Sequence, residues 1–262
     1  MSLISIIGCG WLGLPLGKSL AESGYQVLGS TTSPEKFEVI KESGIEPVLF
    51  KLDPMPVGES FNQLFNSELL IINIPPGRKS NTPHFYEEQV KYLKYRLKNS
   101  GVKRVIFVSS TSYYPNTNAL VTTETPYDLA NGSSEAVVKG EQQINSIDQE
   151  LVILRCGGLM GKDRIPGKWF SGKETKGAQT AVNYIHQDDV VKVIHYLIEN
   201  WPKSQSVFNL VSDEHPSRKE VHEKMAGEYG FVPPIWIEPE TVASKVVKSD
   251  FSEFNLKSPL EF

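Results

Sequence analysis

Cysteine is scarce in this sequence, with two among 262 residues, Cys9 and Cys156. That excludes a disulfide framework, and neither has a metal-type partner nearby in the chain, so both read as small, reduced packing residues. Excess positive charge is also lacking. A formal net charge of −4 supplies no long-range attraction for polyanions, and nucleic acid is not an expected partner. No apolar run approaches the roughly 18 residues of a membrane span, and strand-forming sequence begins at Leu3, so the expectation is no signal peptide, no membrane partner and a cytoplasmic location. The histidines, His84, His186, His195, His215 and His222, show no metal-ligand spacing, and no metal is expected. No Gly-x-Ser-x-Gly and no Cys/His pairing points to a hydrolase. With 39% hydrophobic residues and charge mixed along its length, the chain is a folded one, long enough for one large α/β domain or for a dinucleotide domain with a small satellite.

What is present is concentrated at the start. Leu3-Ile4-Ser5-Ile6-Ile7 is a short apolar run, followed by Gly8-Cys9-Gly10-Trp11-Leu12-Gly13 and by helical spacing through Leu16 and Leu20 to Gly24. Strand, tight turn and helix in this register are the context that a G-x-G-x-x-G needs to bind a dinucleotide. Gly8 permits the turn off the strand, Gly10 admits a pyrophosphate to the backbone, and Gly13 lets the helix pack close to the sheet. The helix N-terminus, with Trp11 and Leu12 in the turn, then faces the phosphates.

Further along, apolar strands alternate with helices. Strands are expected at Tyr25–Ser30, Pro47–Leu52, Leu69–Ile74, Arg104–Val108, Leu151–Arg155 and Ser206–Val211. Helices are expected after Ser33 and Pro34 to Gly44, from Pro83 to Asn99 with Phe85, Val90, Leu93 and Leu97 on one face, from Ser133 to Ile147, from Gln187 to Glu199, and from Ser217 with a Ser217/Glu220 capping box to about Tyr229. The order argues for an α/β, doubly wound parallel-sheet Rossmann fold. Gly157 to Thr180, glycine-rich and basic, reads as a long excursion outside the sheet. The expected division is a Rossmann domain, residues 1–155 with 186–212, and a small C-terminal substrate lobe, residues 156–185 with 213–262. Lys162, Arg164 and Lys168 in the excursion can attract an anionic substrate, or simply form a solvated loop.

Ligands of such sheets lie at the carboxyl ends of the strands. About twenty residues past the fingerprint, where an NAD site carries Asp or Glu, stand Ser30, Thr31 and Thr32 with Lys36 nearby. Hydroxyls and a lysine there accommodate a 2′-phosphate, so the lean is to NADP, with NAD as the alternative; the same residues also read as turn and cap formers. Asp53 reads equally as an acceptor for the adenine amino group and as a turn former before Pro54. Ile74 and Pro75 would wall the cofactor's ribose and pyrophosphate. Ser109, Ser110 and Thr111, next to Tyr113 and Tyr114, deliver hydroxyls to the expected nicotinamide end.

The fingerprint, the Val108-Ser109-Ser110-Thr111-Ser112-Tyr113-Tyr114-Pro115 block, Ile153 to Gly161, Asn183 to Val190 and Phe208-Asn209-Leu210-Val211 together resemble the NAD(P)-dependent epimerase/dehydratase branch of the extended short-chain dehydrogenases/reductases. The G-x-G-x-x-G form is more like its atypical members. The resemblance implies a nicotinamide cofactor, a small-molecule substrate that is sugar-like or anionic, and catalytic roles for Ser110 and for a Tyr-x-x-x-Lys. No tyrosine here has a lysine four residues on. Ser133 and Val137 fall where the tyrosine and lysine belong, leaving Tyr114, Tyr113, Tyr127 and Lys139 as proton-donor candidates by composition. His186 falls in a block resembling a structural element.

Three functions are therefore open: an oxidoreductase or epimerase-like enzyme acting on a carbonyl or sugar-like alcohol, a non-catalytic NADP(H)-sensing protein, and a hydroxyacid-type dehydrogenase. The last usually appends a long helical domain for which the proline-broken tail is too short.

Overall fold

The computed structural model describes residues 2–77, 83–204 and 206–262. Its main sheet has eight strands: β1 (Leu3–Ile7), β2 (Gln26–Thr31), β3 (Glu46–Asp53), β4 (Met55–Gly58), β5 (Leu69–Ile72), β6 (Arg104–Ser110), β7 (Glu150–Cys156) and β8 (Ser206–Leu210). Their spatial order is β8-β7-β6-β5-β1-β2-β3-β4. β1 pairs in parallel with β2 and with β5, β2 with β3, and β5 with β6. The chain thus winds outward from β1 in both directions, and the switch point falls between β1 and β5, where sheets of this kind bind ligands.

The expected doubly wound parallel sheet is present, with one antiparallel strand added to it. β4 forms an antiparallel hairpin with β3 at the edge of the sheet, and its Met55-Pro56-Val57-Gly58 sequence hides a strand because proline and glycine both lower strand propensity.

The helices are α1 (Gly13–Glu22), α2 (Phe37–Glu42), α3 (Pro83–Lys98), α4 (Glu135–Ile144), α5 (Gln187–Glu199) and α6 (Arg218–Tyr229). Each follows from local sequence. In α6 the Ser217 hydroxyl accepts the Glu220 N–H at 3.2 Å while the Glu220 carboxylate accepts the Ser217 N–H at 2.7 Å, so the capping box closes from both sides. Before α2, Ser33 makes no such cap; its hydroxyl donates to Glu35, and a 3₁₀ turn, Pro34–Lys36, leads into the helix. In α3 the buried stripe is Tyr86, Val90, Leu93 and Leu97. Tyr86 thus takes the place expected of Phe85, because 86, 90, 93 and 97 keep one helical face and 85 falls off it.

The chain divides into two compact units. The first comprises Met1–Ser109, Glu135–Leu154 and Ile194–Val207; the second comprises Ser110–Ser134, Arg155–Val193 and Phe208–Phe262. The first is built on a core in which Ile7, Leu70, Ile72, Val105, Phe107 and Ile153 of the sheet meet the α3 stripe. β5 is buried along its whole length, as a strand covered on both faces must be. Removing these side chains from water contributes about 1.5–3 kcal/mol each.

In the second unit the glycine-rich excursion is more regular than its composition suggests. Gly158–Met160 pairs in parallel with Tyr184–His186, a single helical turn spans Pro166–Trp169, and Glu174–Thr175 pairs with Ile235–Trp236. Glycine is demanded here by close approach. A Cβ on Gly157 would lie 2.6 Å from the Asn183 carbonyl oxygen, and one on Gly167 would lie 2.5 Å from the Ala226 nitrogen.

Candidate active site

In the first unit, the turn between β1 and α1 is held from two neighbouring strands. The Gly8 N–H donates to the Ser30 hydroxyl at 2.9 Å, the Cys9 N–H donates to the Ser30 carbonyl at 2.9 Å, and the Asn73 side-chain amide donates to the Gly8 carbonyl at 3.1 Å. Gly8 has φ +100°, and a Cβ there would stand 2.3 Å from the Asn73 carbonyl oxygen; a Cβ on Gly13 would stand 2.2 Å from the Gly8 carbonyl oxygen. Gly10 differs. A Cβ on it would meet nothing within 4 Å. The three glycines thus divide their work: Gly8 and Gly13 let backbone meet backbone, and Gly10 leaves open the space that a pyrophosphate would use.

The first turn of α1 carries no acidic residue and no side-chain cap, which leaves its dipole available to an anion. Leu12 is buried and Trp11 half-buried. Burial pushes the Cys9 thiol up to about 12, and the Cys156 thiol likewise to about 12. Both cysteines are free and buried.

At the end of β2 the expected hydroxyls separate. Ser30 is committed to Gly8, and the Thr31 hydroxyl accepts the Ser33 N–H at 3.2 Å; both side chains are buried. Thr32 and Lys36 are exposed. Asp53 lies in the β3–β4 hairpin, exposed and ion-paired with Lys51. Ile74 offers its carbonyl to the Tyr86 hydroxyl at 3.0 Å, and Pro75 is exposed. The Ser109 hydroxyl donates to the buried Glu141 carboxylate at 2.5 Å. Burial first, and the Glu141 charge second, push the Tyr86 phenol up.

Lys139 is held by Glu135 at 2.8 Å, with Glu87 at 3.8 Å. Those carboxylates raise its pKa, the hydrogen bond that Lys139 donates to Glu135 most. Val137 is buried in the same helix.

The second unit begins with Ser110, whose hydroxyl accepts the Ser112 N–H at 3.1 Å and so caps the 3₁₀ turn Thr111–Tyr113. Tyr114 is fully buried. Its hydroxyl donates to the Asn209 side-chain oxygen at 2.6 Å and accepts from the Arg155 guanidinium at 2.7 Å. Arg155 is itself only 4% exposed, and its Cζ lies 3.4 Å from the centre of the Tyr113 ring. Ser133, at the resemblance's tyrosine position, accepts the Asp128 N–H at 2.9 Å and ties off the loop from 128 to 133. His186 Nε2 meets the Glu261 carbonyl at 2.7 Å, and burial pushes its imidazole down.

Arg155 and Asn209, which sequence reasoning gave no role of their own, are central to the geometry of the second unit, as Asn73 is to that of the first. For Arg155 there was a signal, a lone charge in the apolar run from Leu151 to Cys156. Asn73 and Asn209 act on partners 65 and 95 residues away, which no local pattern encodes. Among the described residues no group of His, Cys, Asp and Glu gathers as a metal site would require, and no helix is long and apolar enough to cross a membrane.

No family model matches the chain. Protein YeeZ of Escherichia coli (strain K12) is 33% identical over 237 residues, spanning 89% of this chain and 86% of that protein. Two solved structures with the same fold are MoeE5 in complex with UDP-glucuronic acid and NAD (TM-score 0.78, 16% identity, covering 97% of this chain and 92% of that one) and UDP-glucuronic acid 4-epimerase from Bacillus cereus in complex with NAD (TM-score 0.73, 13% identity, 97% and 90%).

Proposed function

Since the chain belongs to the family of Protein YeeZ, and has the Rossmann fold of the extended short-chain dehydrogenases/reductases, we propose that it is a nicotinamide-dinucleotide-binding oxidoreductase or epimerase-like enzyme acting on a carbonyl or a sugar-like alcohol. The observation that carries this reading is the open face of Gly10 between the sealed Gly8 and Gly13. A bound nicotinamide dinucleotide would supply or accept a hydride. The chain's own residues bind and orient. Gly10 and the α1 N-terminus take the pyrophosphate, Ile74 and Pro75 line its path, and Ser110 directs a hydrogen bond at the reacting oxygen. NADP is favoured over NAD because Ser30, Thr31 and Thr32 at the end of β2 include no carboxylate, and Lys36 follows in a 3₁₀ turn whose one carboxylate, Glu35, accepts from the Ser33 hydroxyl. A UDP-sugar, bound by the structural neighbour MoeE5, is the model for the substrate class.

The test is a substitution that the fold itself tolerates. Gly10→Val should leave the melting temperature within the range of a neutral surface change while abolishing NADPH binding, read by fluorescence of the reduced nicotinamide. Wild-type protein that binds neither NADPH nor NADH would sink the proposal. A second reading, a non-catalytic NADP(H) sensor, is favoured by Ser133 and Val137 at the resemblance's Tyr and Lys positions; tight binding with no turnover across aldehydes, ketones and nucleotide sugars would select it.

A further inference from the structure

The first unit holds, between α3 and α4, a cavity that none of the proposed roles uses. Its volume is about 610 Å³, inside the range of about 300–1,000 Å³ in which small-molecule sites fall. It lies at the far end of the strands from the glycine turn: its α3 wall is the stretch that leads down to Lys98, shortly before β6 begins, and its other wall, residues 146–149, directly precedes β7. Lys91, Lys94, Tyr95 and Lys98 line it, and spacings of three and four residues put them on one helical face. Asp148 is the single carboxylate of the lining, against three ammonium groups. Lys91 pairs with Glu88 at 3.1 Å, and Lys94 donates to the neutral Ser146 hydroxyl at 2.6 Å. Among the described residues Lys98 meets no carboxylate. Like charges at this spacing repel one another on a helix, and the pull of the helix C-terminus accounts for Lys98 alone. Tyr92 also lines the cavity. Tyr95 is 66% exposed, and among the described residues neither tyrosine meets another ring or makes a hydrogen bond. Gln149 donates its side-chain amide to the Leu97 carbonyl at 3.0 Å, while its Oε1 is buried with no partner.

We propose that this cavity is a second ligand site, for a nucleoside monophosphate, separate from the dinucleotide site at the glycine turn. The inference goes beyond the oxidoreductase reading and does not depend on it. A lysine binds phosphate as a point charge on a flexible stem, so Lys94 and Lys98, which no carboxylate engages, take the phosphate. A flat base stacks on the face of a tyrosine that has no other ring against it, and Tyr95 stands between the two lysines in the chain. Gln149 holds an unmet acceptor, a cost to the fold that a base N–H relieves. No simpler ligand uses the whole lining. A bare anion leaves both tyrosines idle, and an apolar molecule covers ammonium groups without pairing them. Because the cavity opens at the amino ends of the strands and the glycine turn at their carboxyl ends, the nucleotide and the dinucleotide bind without competing.

The experiment is a calorimetric titration of the full-length protein with AMP and with UMP, and with adenosine and inorganic phosphate as the separate halves. Gly10→Val, which closes the glycine turn, removes that turn as a competing site. At least one of the two nucleotides should bind wild type and Gly10→Val alike, and at least about tenfold more tightly than adenosine or phosphate. Lys94→Ala combined with Lys98→Ala should weaken it at least about tenfold, and Tyr95→Ala about fivefold or more, with the melting temperature and NADPH affinity held in both. Binding should also weaken as salt rises, since the lysines are open to solvent. Nucleotide binding that is lost in Gly10→Val and kept in the lysine pair overturns the proposal, because the ligand is then at the glycine turn. Phosphate bound as tightly as either nucleotide overturns it by leaving the tyrosines no part, and so does the absence of any nucleotide binding. A concentration-dependent dimer that Tyr95→Ala dissolves overturns it as well, by giving this face to a second copy of the chain. Failure of wild type to bind NADPH would overturn the oxidoreductase reading instead, and the nucleotide titration separates the two because it needs no NADPH.

Discussion

The side-chain amide of Asn73 donates to the carbonyl oxygen of Gly8 at 3.1 Å, so a residue just past β5 clamps the turn that follows β1. The contact crosses the switch point of the sheet, and the same amide would be 3.3 Å from a Cβ on Gly13. The glycine turn is therefore shaped by a neighbouring strand as well as by its own sequence. Asn73→Ala should cost about 1 kcal/mol, the worth of one such bond, and weaken NADPH binding severalfold by loosening the turn. Gly13→Ala should cost about 1–3 kcal/mol through the backbone clash it creates. Thermal denaturation with a parallel NADPH titration measures both, and an Asn73→Ala protein with wild-type stability and affinity would show that the clamp does nothing.

Tyr114 should matter for stability through its hydroxyl alone. Tyr114→Phe keeps the ring and its packing on Val121, Val211 and Val247, but removes one partner each from the buried Arg155 and Asn209. A hydrogen bond to a charged group is worth about 1.5–3 kcal/mol, and chemical denaturation should show a loss of that size. A loss below about 0.5 kcal/mol would mean that the guanidinium is fully served by its other contacts.

Much of this architecture is legible in the chain. Alternation of apolar runs and helical spacing finds all seven strands of the sheet other than β4, and the Ser217/Glu220 box is visible because a cap is local. What escapes is set by long-range pairing. Gly158–Met160 becomes a strand only because Tyr184–His186 lies alongside. Ser30 and Thr31 look like free cofactor ligands until the Gly8 and Ser33 amides claim their hydroxyls. Tyr114 looks like a proton-donor candidate by composition, and its burial between Asn209 and Arg155 depends on residues from three separate segments.

Acid should destabilise the protein through His222. This imidazole is wholly buried, its Nε2 is 3.0 Å from the Tyr184 hydroxyl, and Trp169 and Phe170 pack on its ring at 5.7 and 4.7 Å. Burial pushes it from 6.5 down to about 4, with the Arg218 charge acting in the same direction. The unfolded chain takes up this proton at higher pH than the folded one, so the stability gained by keeping the ring neutral is complete above about pH 6.5 and is lost as pH falls towards about 4. His222→Gln preserves a partner for Tyr184 without titrating, and should flatten that slope in denaturant titrations at stepped pH. Burial also lowers His186 and His195, so a slope unchanged by His222→Gln would move the effect to them.

Cofactor choice should turn on the exposed residues after β2. Ser30 spends its hydroxyl on Gly8 and Thr31 spends its own on Ser33, which leaves Thr32 and Lys36, both exposed, to meet a 2′-phosphate. Lys36 sits at the end of the 3₁₀ turn Pro34–Lys36, on a short connection whose backbone does not depend on its side chain. Lys36→Glu should therefore weaken NADPH binding by at least about tenfold, about 1.4 kcal/mol, while leaving NADH binding nearly unchanged, since NADH has no charge at that position to repel. The preference should also shrink as salt rises, because both charges are open to solvent and are screened over about 8–10 Å at 0.10–0.15 M ionic strength. Parallel titrations of wild type and Lys36→Glu with the two reduced cofactors at low and high salt test each part. Equal losses for NADPH and NADH would place Lys36 on the shared pyrophosphate, and tighter wild-type binding of NADH would reverse the preference argued from β2.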